Sequence, residues 1–288
     1  MRTVLTALTD ELRRLKSAGV DSVSVSDESL AGLRAAVARV AARRPARTPK
    51  APADRPAQAA ASQPEVPPPV VSLPEGDKSE RWNYLRDKVL KDPICLSHVR
   101  PGCRVVLGVG DLDASIFFVG EAPGAEEEVQ GEPFVGPAGQ LLTKMIIAMG
   151  LSRERVYIGN IMNWRPELPI GPDGVQYGNR PPTAVEMGYC LPYLRAQIEV
   201  VRPKILVALG TTAALGLLGP GAFKALGEVR GKWREFAGVP LMVTYHPSYI
   251  LRNPINRSKR LIWEDLLKVM ERAEVPISDK QKGFFLEK

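Results

Sequence analysis

The segment Val119–Gly139, VGEAPGAEEEVQGEPFVGPAG, constrains the fold of this 288-residue chain more than any other. An apolar run ends at Val119, and a stretch rich in glycine, proline and acids separates it from a helical pattern that begins at Gln140. This change of pattern predicts a buried strand that ends in a rigid loop and feeds a helix. Because ligands bind where the strands of open α/β sheets end, we expect this loop to line a site.

Strand and helix patterns alternate along the rest of the chain. Strands are predicted at 104–107, 115–119, 156–161, 205–209, 229–236 and 241–244, and helices at 77–91, 140–149, 184–201, 212–218 and 258–273. Thr183 and Glu186 predict a capping box at the start of the helix 184–201. Strands that alternate with helices indicate a three-layer α/β/α fold with a central, mostly parallel sheet.

Composition divides the chain into four segments. Residues 1–45 carry leucines at helical spacing and predict a small helical N-terminal segment. Residues 46–75 are rich in alanine and proline and cannot bury enough apolar surface to offset their ordering entropy, so we expect a disordered linker. The α/β domain is predicted at 76–275, followed by a C-terminal tail at 276–288.

Charge and cysteine content narrow the class of protein. The net charge of +7 and the isoelectric point near 9.4 favour a polyanionic partner. Cys95, Cys103 and Cys190 are too far apart in sequence to make a disulfide framework, which is typical of a reducing intracellular compartment. No apolar run approaches the roughly 20 residues that span a membrane, and the N-terminus lacks a signal-peptide pattern. We therefore expect a cytoplasmic protein without a membrane partner.

Four loops that follow predicted strands contain the candidate functional residues. The loops are 121–134, 160–180, 210–212 and 246–252, and in this fold class they gather at the carboxyl edge of the sheet. The last loop holds His246, one of two histidines, and Pro247 fixes the turn that follows it. A lone histidine is more often structural than catalytic, but its place directly after a strand favours a role in a site.

Taken in order, the segments GEAPG, GEPFVGPAG, NIMNWRP, NRPP, LVALG and HPSYILRNP resemble the uracil-DNA glycosylase superfamily. The resemblance covers residues 85 to about 270 and is to family 4, a bacterial and archaeal group that usually carries an iron–sulfur cluster. It implies a bacterial, nucleoid-associated repair enzyme that acts as a monomer on uracil-containing DNA. Such an enzyme flips uracil out of DNA and hydrolyses its N-glycosidic bond, leaving an abasic site for base excision repair.

Two other classes of function stay open. A DNA- or uracil-binding module of the same fold would keep the pocket but lack catalysis. A nucleotide-binding α/β protein would use the glycine-rich loop for phosphate, but GEAPG lacks the lysine of a P-loop and Glu121 would repel phosphate.

The resemblance also implies roles for individual residues. Glu121, Glu127 and His246 are implied in catalysis, with His246 donating a hydrogen bond to O2 of uracil as negative charge develops. Phe134 is expected to stack on the base, and the Asn160 carboxamide to read O4 and N3–H. The other implied substrate-binding positions are Gly120, Ala122 and Asn179. The group that positions the attacking water, a carboxylate or a backbone carbonyl, is left open. Phe134 could instead be a core residue, and Asn160 a turn residue.

The DNA contacts are implied in the fourth and the last of these motifs, NRPP and HPSYILRNP. The implied DNA-binding positions are Arg180, Ser248, Tyr249, Leu251 and Arg252. An apolar wedge would hold the gap left by the flipped base, and arginine would grip phosphate. Arg257, Lys259 and Arg260 extend the basic cluster. Between Trp164 and Asn179 the chain carries an apparent insertion, ELPIGPDGVQY, relative to the family pattern.

The family's cluster ligands are only partly present. Cluster-bearing members use four cysteines, whereas the corresponding positions here are Asp92, Cys95, Trp164 and Cys190. Two thiolates cannot supply the usual set of four, so we expect no cofactor and expect Trp164 to fill the space. This pattern resembles cluster-free branches of the family. The basic insertion of the uracil-crosslinking branch is absent after Gly231, which predicts turnover rather than a trapped product.

The sequence leaves three questions open. It does not rank uracil against other damaged bases, or single-stranded against double-stranded DNA. It also leaves open the role of residues 1–45, whose leucine stripe is expected to need a partner: a second copy, another protein or the domain itself.

Overall fold

The computed structural model describes Ser26 and residues 66–172 and 174–286. The chain divides into two compact units, Met1–Gln63 and Pro64–Lys288, and the second contains every element described below. Apart from Ser26, the predicted N-terminal segment 1–45 lies outside the described residues, as does the predicted linker up to residue 65.

The elements of the described part follow the predicted alternation. The strands are β1 (Val109–Gly110), β2 (Ile116–Gly120), β3 (Tyr157–Asn160), β4 (Ile205–Leu209), β5 (Trp233–Phe236) and β6 (Val239–Thr244). The helices are α1 (Lys78–Leu90), α2 (Pro93–Ser97), α3 (Ala125–Gln130), α4 (Pro137–Ala148), α5 (Ala184–Val201), α6 (Thr211–Leu218), α7 (Ser248–Arg252), α8 (Asn256–Arg272) and α9 (Asp279–Lys282). The capping box of Thr183 and Glu186 is present at the start of α5.

The six strands form one sheet in the order β1-β3-β2-β4-β6-β5. The four central strands run parallel, and only β1 and β5 at the edges pair antiparallel. The prediction of a mostly parallel sheet is therefore confirmed. The prediction of a strand at 104–107 is wrong. Val106 forms hydrogen bonds with the backbone and the side chain of Asn163, but these bonds are not part of a strand pairing. The edge strand forms at Val109–Gly110 instead.

Alternation of side chains along the strands builds the three layers. Ile116 and Phe118 of β2 pack into a core covered by α4 and α8, while Phe117 and Val119 pack into a core covered by α5 and α6. Because successive side chains of a strand point to opposite faces, a strand that is apolar throughout must be covered on both sides. The three-layer α/β/α fold is confirmed.

A third, smaller core joins α1 and α2 to α5 around a buried carboxylate. Asp92 accepts hydrogen bonds from the backbone N–H of Cys95 at 2.7 Å, from Tyr193 at 2.7 Å and from Tyr189 at 2.9 Å. Burial alone would raise the pKa of Asp92, but these three hydrogen bonds lower it below its usual range. The carboxylate is therefore held in its charged form within an otherwise apolar core.

The ends of the described chain belong to the folded unit. Val71 and Leu73, in the extended residues 66–75 of the predicted linker, pack against the third core. At the other end, the predicted tail 276–288 contains α9, where the Trp263 indole donates to the carbonyl of Gln281 at 2.6 Å. The boundaries at 76 and 275 therefore cut through packed chain, and the four-segment division stays a prediction.

Within the described residues, no helix combines the length and apolar character that crossing a membrane requires.

The Asp92 network gives a first prediction about stability. Asp92→Ala leaves the hydroxyls of Tyr189 and Tyr193 buried without their acceptor, so we expect the free energy of unfolding to fall by about 2–4 kcal/mol. Urea denaturation followed by circular dichroism measures the loss. Tyr189→Phe, which removes one donor and keeps the ring, should cost much less. Equal losses for the two variants would show that the carboxylate is not the centre of the network.

Candidate active site

A cavity of about 790 Å³ opens at the carboxyl ends of the parallel strands. Its walls come from the loops that follow β2, β3, β4 and β6. All of the catalytic, uracil-binding and DNA-binding residues predicted above line it, except Gly120 and Leu251. The fold therefore brings four distant segments of sequence to one place, whereas the role of each residue stays a prediction.

Glu127 holds the loop after β2 in shape. Its carboxylate accepts hydrogen bonds from the backbone N–H groups of Gly124 at 3.1 Å, Val135 at 3.1 Å and Gly136 at 3.0 Å. The three donors lie on both sides of α3, so one side chain closes the loop across that helix. Backbone donors satisfy a carboxylate well when it is ionised. Glu127 thus braces the cavity wall in addition to lining it.

Phe134 is placed by strained backbone. Its φ of 56° is in the left-handed region, which is uncommon for a large residue and is maintained only where the surroundings enforce it. Gly139 allows this geometry, since a Cβ there would lie 1.9 Å from the Phe134 carbonyl oxygen. The ring is 6 % exposed and packs against the first core while lining the cavity. The core role and the site role are therefore combined in one side chain.

Asn160, Phe134 and Gly120 enclose a narrow slot. Asn160 is the last residue of β3, and its Oδ1 is buried without a hydrogen-bond partner. A Cβ at Gly120 would lie 2.3 Å from that oxygen and 2.5 Å from the Phe134 ring. Gly120 therefore keeps the space between the carboxamide and the ring open. A buried acceptor without a partner is costly unless a ligand supplies the donor.

His246 presents a neutral imidazole to the cavity. Its Nδ1 accepts the backbone N–H of Ser248 at 3.2 Å and lies 2.9 Å from the Ser248 hydroxyl oxygen. Accepting at Nδ1 places the ring proton on Nε2, which makes Nε2 the donor. Burial, together with the charge of Arg252, lowers the pKa of His246 to about 4. The ring centroid lies 5.7 Å from that of Phe134.

Glu121 is the second carboxylate of interest in the cavity wall. Burial raises its pKa above the usual range, and a hydrogen bond with the Thr212 hydroxyl partly opposes that shift. Thr212 itself was not among the predicted site residues, although its loop was. A hydroxyl that follows a buried strand and a glycine was the available signal.

The side chains predicted to contact DNA differ in how many hydrogen bonds they already make within the protein. Arg180 is already engaged, since its guanidinium bonds to both oxygens of Glu186 at 2.8 and 2.6 Å and to the Glu167 carbonyl at 2.7 Å. Arg260 likewise donates to backbone carbonyls of the C-terminal residues. Leu251, by contrast, is 49 % exposed on α7, as expected for an apolar wedge. Arg180 and Arg260 therefore serve first as internal braces.

The remaining DNA-binding candidates support the His246 turn. Ser248 contacts the imidazole and accepts a hydrogen bond from Arg252 at 3.1 Å. Tyr249 stacks on Tyr245 with ring centroids 4.3 Å apart and planes 13° from parallel. The turn is therefore fixed by its own short helix α7.

Arg165 was missed as a structural centre of the site. It is 6 % exposed, pairs with the buried Glu128 at 2.7 Å, and donates to the Asn179 side chain at 2.9 Å. Glu128 also pairs with Arg100. The acidic run 126–128 thus supplies the loop brace of Glu127 and the two ion pairs of Glu128. In the sequence, the role of Arg165 was indicated only by its position, as a charged residue before a proline in the segment after β3.

The residues at the family's cluster positions do not suit an iron–sulfur cluster. The Cys95 thiol lies within hydrogen-bond range of the Cys190 thiol, and that contact together with burial raises the pKa of Cys95, which disfavours the thiolate a cluster needs. The Asp92 carboxylate is occupied by its three donors. Trp164 is 1 % exposed and stacks on His98 at 4.7 Å. No group of three or more histidine, cysteine or acidic residues in the described chain is arranged to hold a metal.

Comparison with known proteins agrees with this geometry. A family model described as "Uracil DNA glycosylase superfamily" matches residues 107–267. The chain belongs to the uracil-DNA glycosylase superfamily. The matched region starts before β1 and ends within α8, so it contains all six strands and the four loops of the cavity.

The curated relatives of this superfamily member include proteins named "Type-4 uracil-DNA glycosylase". The one from Thermotoga maritima is 40% identical over 192 residues, which are 66% of this chain and 94% of the relative. The one from Archaeoglobus fulgidus is 42% identical over 155 residues, covering 52% of this chain and 73% of the relative. A "Type-5 uracil-DNA glycosylase" from Pyrobaculum aerophilum is 35% identical over 185 residues, covering 57% and 73%. The chain is therefore a type 4-like member.

The environment of His246 gives a second prediction. Nuclear magnetic resonance of the imidazole should show the Nε2–H tautomer at neutral pH and a titration midpoint near 4, well below the 6.5 of a free histidine. Because the folded pKa is lowered, the stability contributed by the neutral ring is fully present above pH 6.5 and is lost as the pH falls towards 4.

A His98→Gln variant leaves His246 as the only histidine and assigns its signals without ambiguity. A midpoint near 6.5 in that variant would contradict the buried, neutral ring.

Proposed function

We propose that this protein is a monofunctional uracil-DNA glycosylase of base excision repair. It flips uracil out of DNA and hydrolyses the N-glycosidic bond, leaving an abasic site. Membership of the superfamily and the names of its type-4 relatives support this function. The loops after four strands supply a cavity with an aromatic ring, a carboxamide, a neutral imidazole and a carboxylate.

The observation that carries the proposal is the unpartnered carboxamide oxygen of Asn160. Uracil presents N3–H as a donor beside O4 as an acceptor, so one carboxamide can pair with both. The Asn160 Oδ1 is buried and lacks a donor, which N3–H would supply. Cytosine has an acceptor at N3 and a donor amine at position 4, so it would leave both partners mismatched. The slot thus favours uracil over cytosine.

Phe134 and His246 complete the recognition of the base. The face of the Phe134 ring stacks on uracil next to the carboxamide, where Gly120 leaves space. His246 donates from Nε2 to O2, and this bond strengthens as the departing base becomes an anion. A neutral donor suits the task because its Nδ1 is held by Ser248 and the ring needs no proton from solvent.

The two carboxylates are proposed to divide the remaining work. Glu127 has three backbone donors and fixes the loop, so its charge is already satisfied. Glu121 is half-buried and its carboxylate is hydrogen-bonded by the Thr212 hydroxyl; in its ionised form it stabilises the positive charge on the sugar and orients the attacking water. The water oxygen bonds to C1′ of the sugar as the bond between C1′ and N1 of uracil breaks, and the electron pair of that bond leaves with the base. The water releases its proton to Glu121 late in the step, so a weak base is sufficient.

We propose that the enzyme works without an iron–sulfur cluster. Asp92 and Trp164 stand at two of the four ligand positions, and the Asp92 hydrogen bonds together with the Trp164 ring fill the space. The network of the third core would then take over the mechanical role of the cluster by joining α2 to α5.

The setting of the enzyme is proposed from composition. A net charge of +7 supports chromosomal DNA in the bacterial cytoplasm, near the nucleoid, as its substrate. We further propose that the domain acts as a monomer and that residues 1–45 bind a protein partner through their leucine stripe.

A single-turnover assay tests the function directly. Uracil-containing single- and double-stranded oligonucleotides are incubated with excess protein, and abasic sites are cleaved with alkali and counted. Formation of abasic product supports the proposal, and tight binding of uracil DNA without product would favour the non-catalytic binding module instead.

Asn160→Ala should lower the single-turnover kcat/KM by about five- to hundredfold, because the base loses a bidentate contact worth about 1–3 kcal/mol. Asn163→Ala is the matched control, since Asn163 is 2 % exposed in the same segment but does not line the cavity. The control should affect stability more than the rate of cleavage. Near-normal cleavage by Asn160→Ala would show that another residue reads the base.

Iron analysis tests the cofactor. Anaerobically purified protein should be colourless, with no broad absorbance near about 400 nm and far less than one iron per chain. A content of about four irons per chain would contradict a cluster-free enzyme. Activity that survives prolonged chelation would agree with it.

A further inference from the structure

A short β-hairpin borders the cavity at the site of the sequence insertion. Its arms are residues 167–172 and 174–178, joined by a bridge between Ile170 and Gln176. The N–H of Gly171 donates to the Val175 carbonyl at 2.9 Å. Pro166 and Asn179, which flank the hairpin on either side, both line the cavity. The hairpin therefore begins and ends at the cavity wall.

The base of the hairpin is fixed by buried groups. Arg165 donates to the Gly178 carbonyl at 2.8 Å, and the Gln176 side chain donates to the Pro166 carbonyl at 3.0 Å. Gln176 is 4 % exposed, and the Arg165 guanidinium is also paired with Glu128. A base held by a buried ion pair and an amide gives the hairpin a defined direction relative to the cavity.

The outer surface of the hairpin is apolar and aromatic. Ile170 is 58 % exposed and Tyr177 is 68 % exposed. Residues 167–178 contain two acids and neither lysine nor arginine. A surface of this composition has no cationic side chain to bind phosphate, but an exposed aromatic ring can stack on an unpaired base.

We propose that this hairpin is a second DNA-contacting element and that Tyr177 stacks on the base next to the flipped uracil in the same strand. The proposal rests on the proposed function, because it takes the cavity as the uracil pocket. Flipping a nucleotide unstacks both of its neighbours, so an exposed base face lies at the mouth of the pocket. The hairpin then determines how strongly the enzyme prefers unstacked or single-stranded DNA around the uracil.

DNA fits this surface better than a protein partner for two reasons. The hairpin is continuous with the pocket wall through Pro166 and Asn179, which places it within reach of a strand whose uracil enters the pocket. The cavity is also bordered by α7, which carries the exposed Leu251 and Arg252 for the gap and the phosphates. The acids of the hairpin repel phosphates and leave base faces as the contact.

The experiment compares Tyr177→Ala with wild type on oligonucleotides that carry one 2′-fluorinated deoxyuridine, which resists hydrolysis. Loss of one stacked base should raise Kd by about five- to hundredfold. The slope of log Kd against log salt should stay unchanged, because no phosphate contact is lost. 2-Aminopurine placed in turn on the 5′ side and on the 3′ side of the uridine should be quenched by wild type at one of the two positions, and at neither position by Tyr177→Ala.

Two variants serve as controls. Tyr177→Phe keeps the ring and should bind like wild type. Tyr84→Ala removes a tyrosine that is 43 % exposed on α1 and does not line the cavity, and it should leave Kd unchanged. An unchanged Kd for Tyr177→Ala, or a Kd change with a shallower salt slope, would overturn the proposal. If wild type binds this DNA but does not cleave ordinary uracil DNA, the glycosylase function fails while the stacking is still measured.

Discussion

The buried ion pair between Arg165 and Glu128 is the interaction on which the geometry of the cavity depends. Glu128 lies in α3, within the segment that follows β2, and Arg165 follows β3, so the pair joins the segments after two neighbouring parallel strands. Arg165 then holds Asn179 and the hairpin base. Removing Glu128 would leave the buried charge of Arg165 without its ion-pair partner, which is far more costly than the pair itself is stabilising. The two loops are therefore fixed together rather than separately.

The same principle of internal satisfaction runs through the rest of the site. The Glu127 carboxylate accepts hydrogen bonds from backbone N–H groups, and the Arg180 guanidinium forms an ion pair with Glu186. Among the described residues that line the cavity, Asn160 carries the buried side-chain atom that has no hydrogen-bond partner, its carboxamide oxygen. A rigid frame with one open acceptor is how a protein can discriminate between bases of similar shape, because the wrong base leaves that acceptor unpaired.

The third core holds α1 and α2 against α5, away from the cavity. At two of the four positions where the family pattern has cysteines, the chain has a carboxylate with three donors, Asp92, and a buried indole, Trp164. The Asp92 bonds are strong and directional, and they join α2 to α5 inside an apolar region. The substitution lies away from the cavity, which agrees with separate structural and chemical roles for the two regions.

The sequence by itself determined the alternation of elements, the parallel sheet and the set of loops, because apolar periodicity and helix caps are local signals. It also placed Phe134, Asn160 and His246 after strands, through motifs that resemble the superfamily. Only the tertiary structure decided that Arg180 is a brace and that Glu127 closes a loop. It also decided that the strand predicted at 104–107 lies at 109–110. These outcomes depend on partners that are distant in sequence, and no local pattern specifies which buried charge will meet which donor.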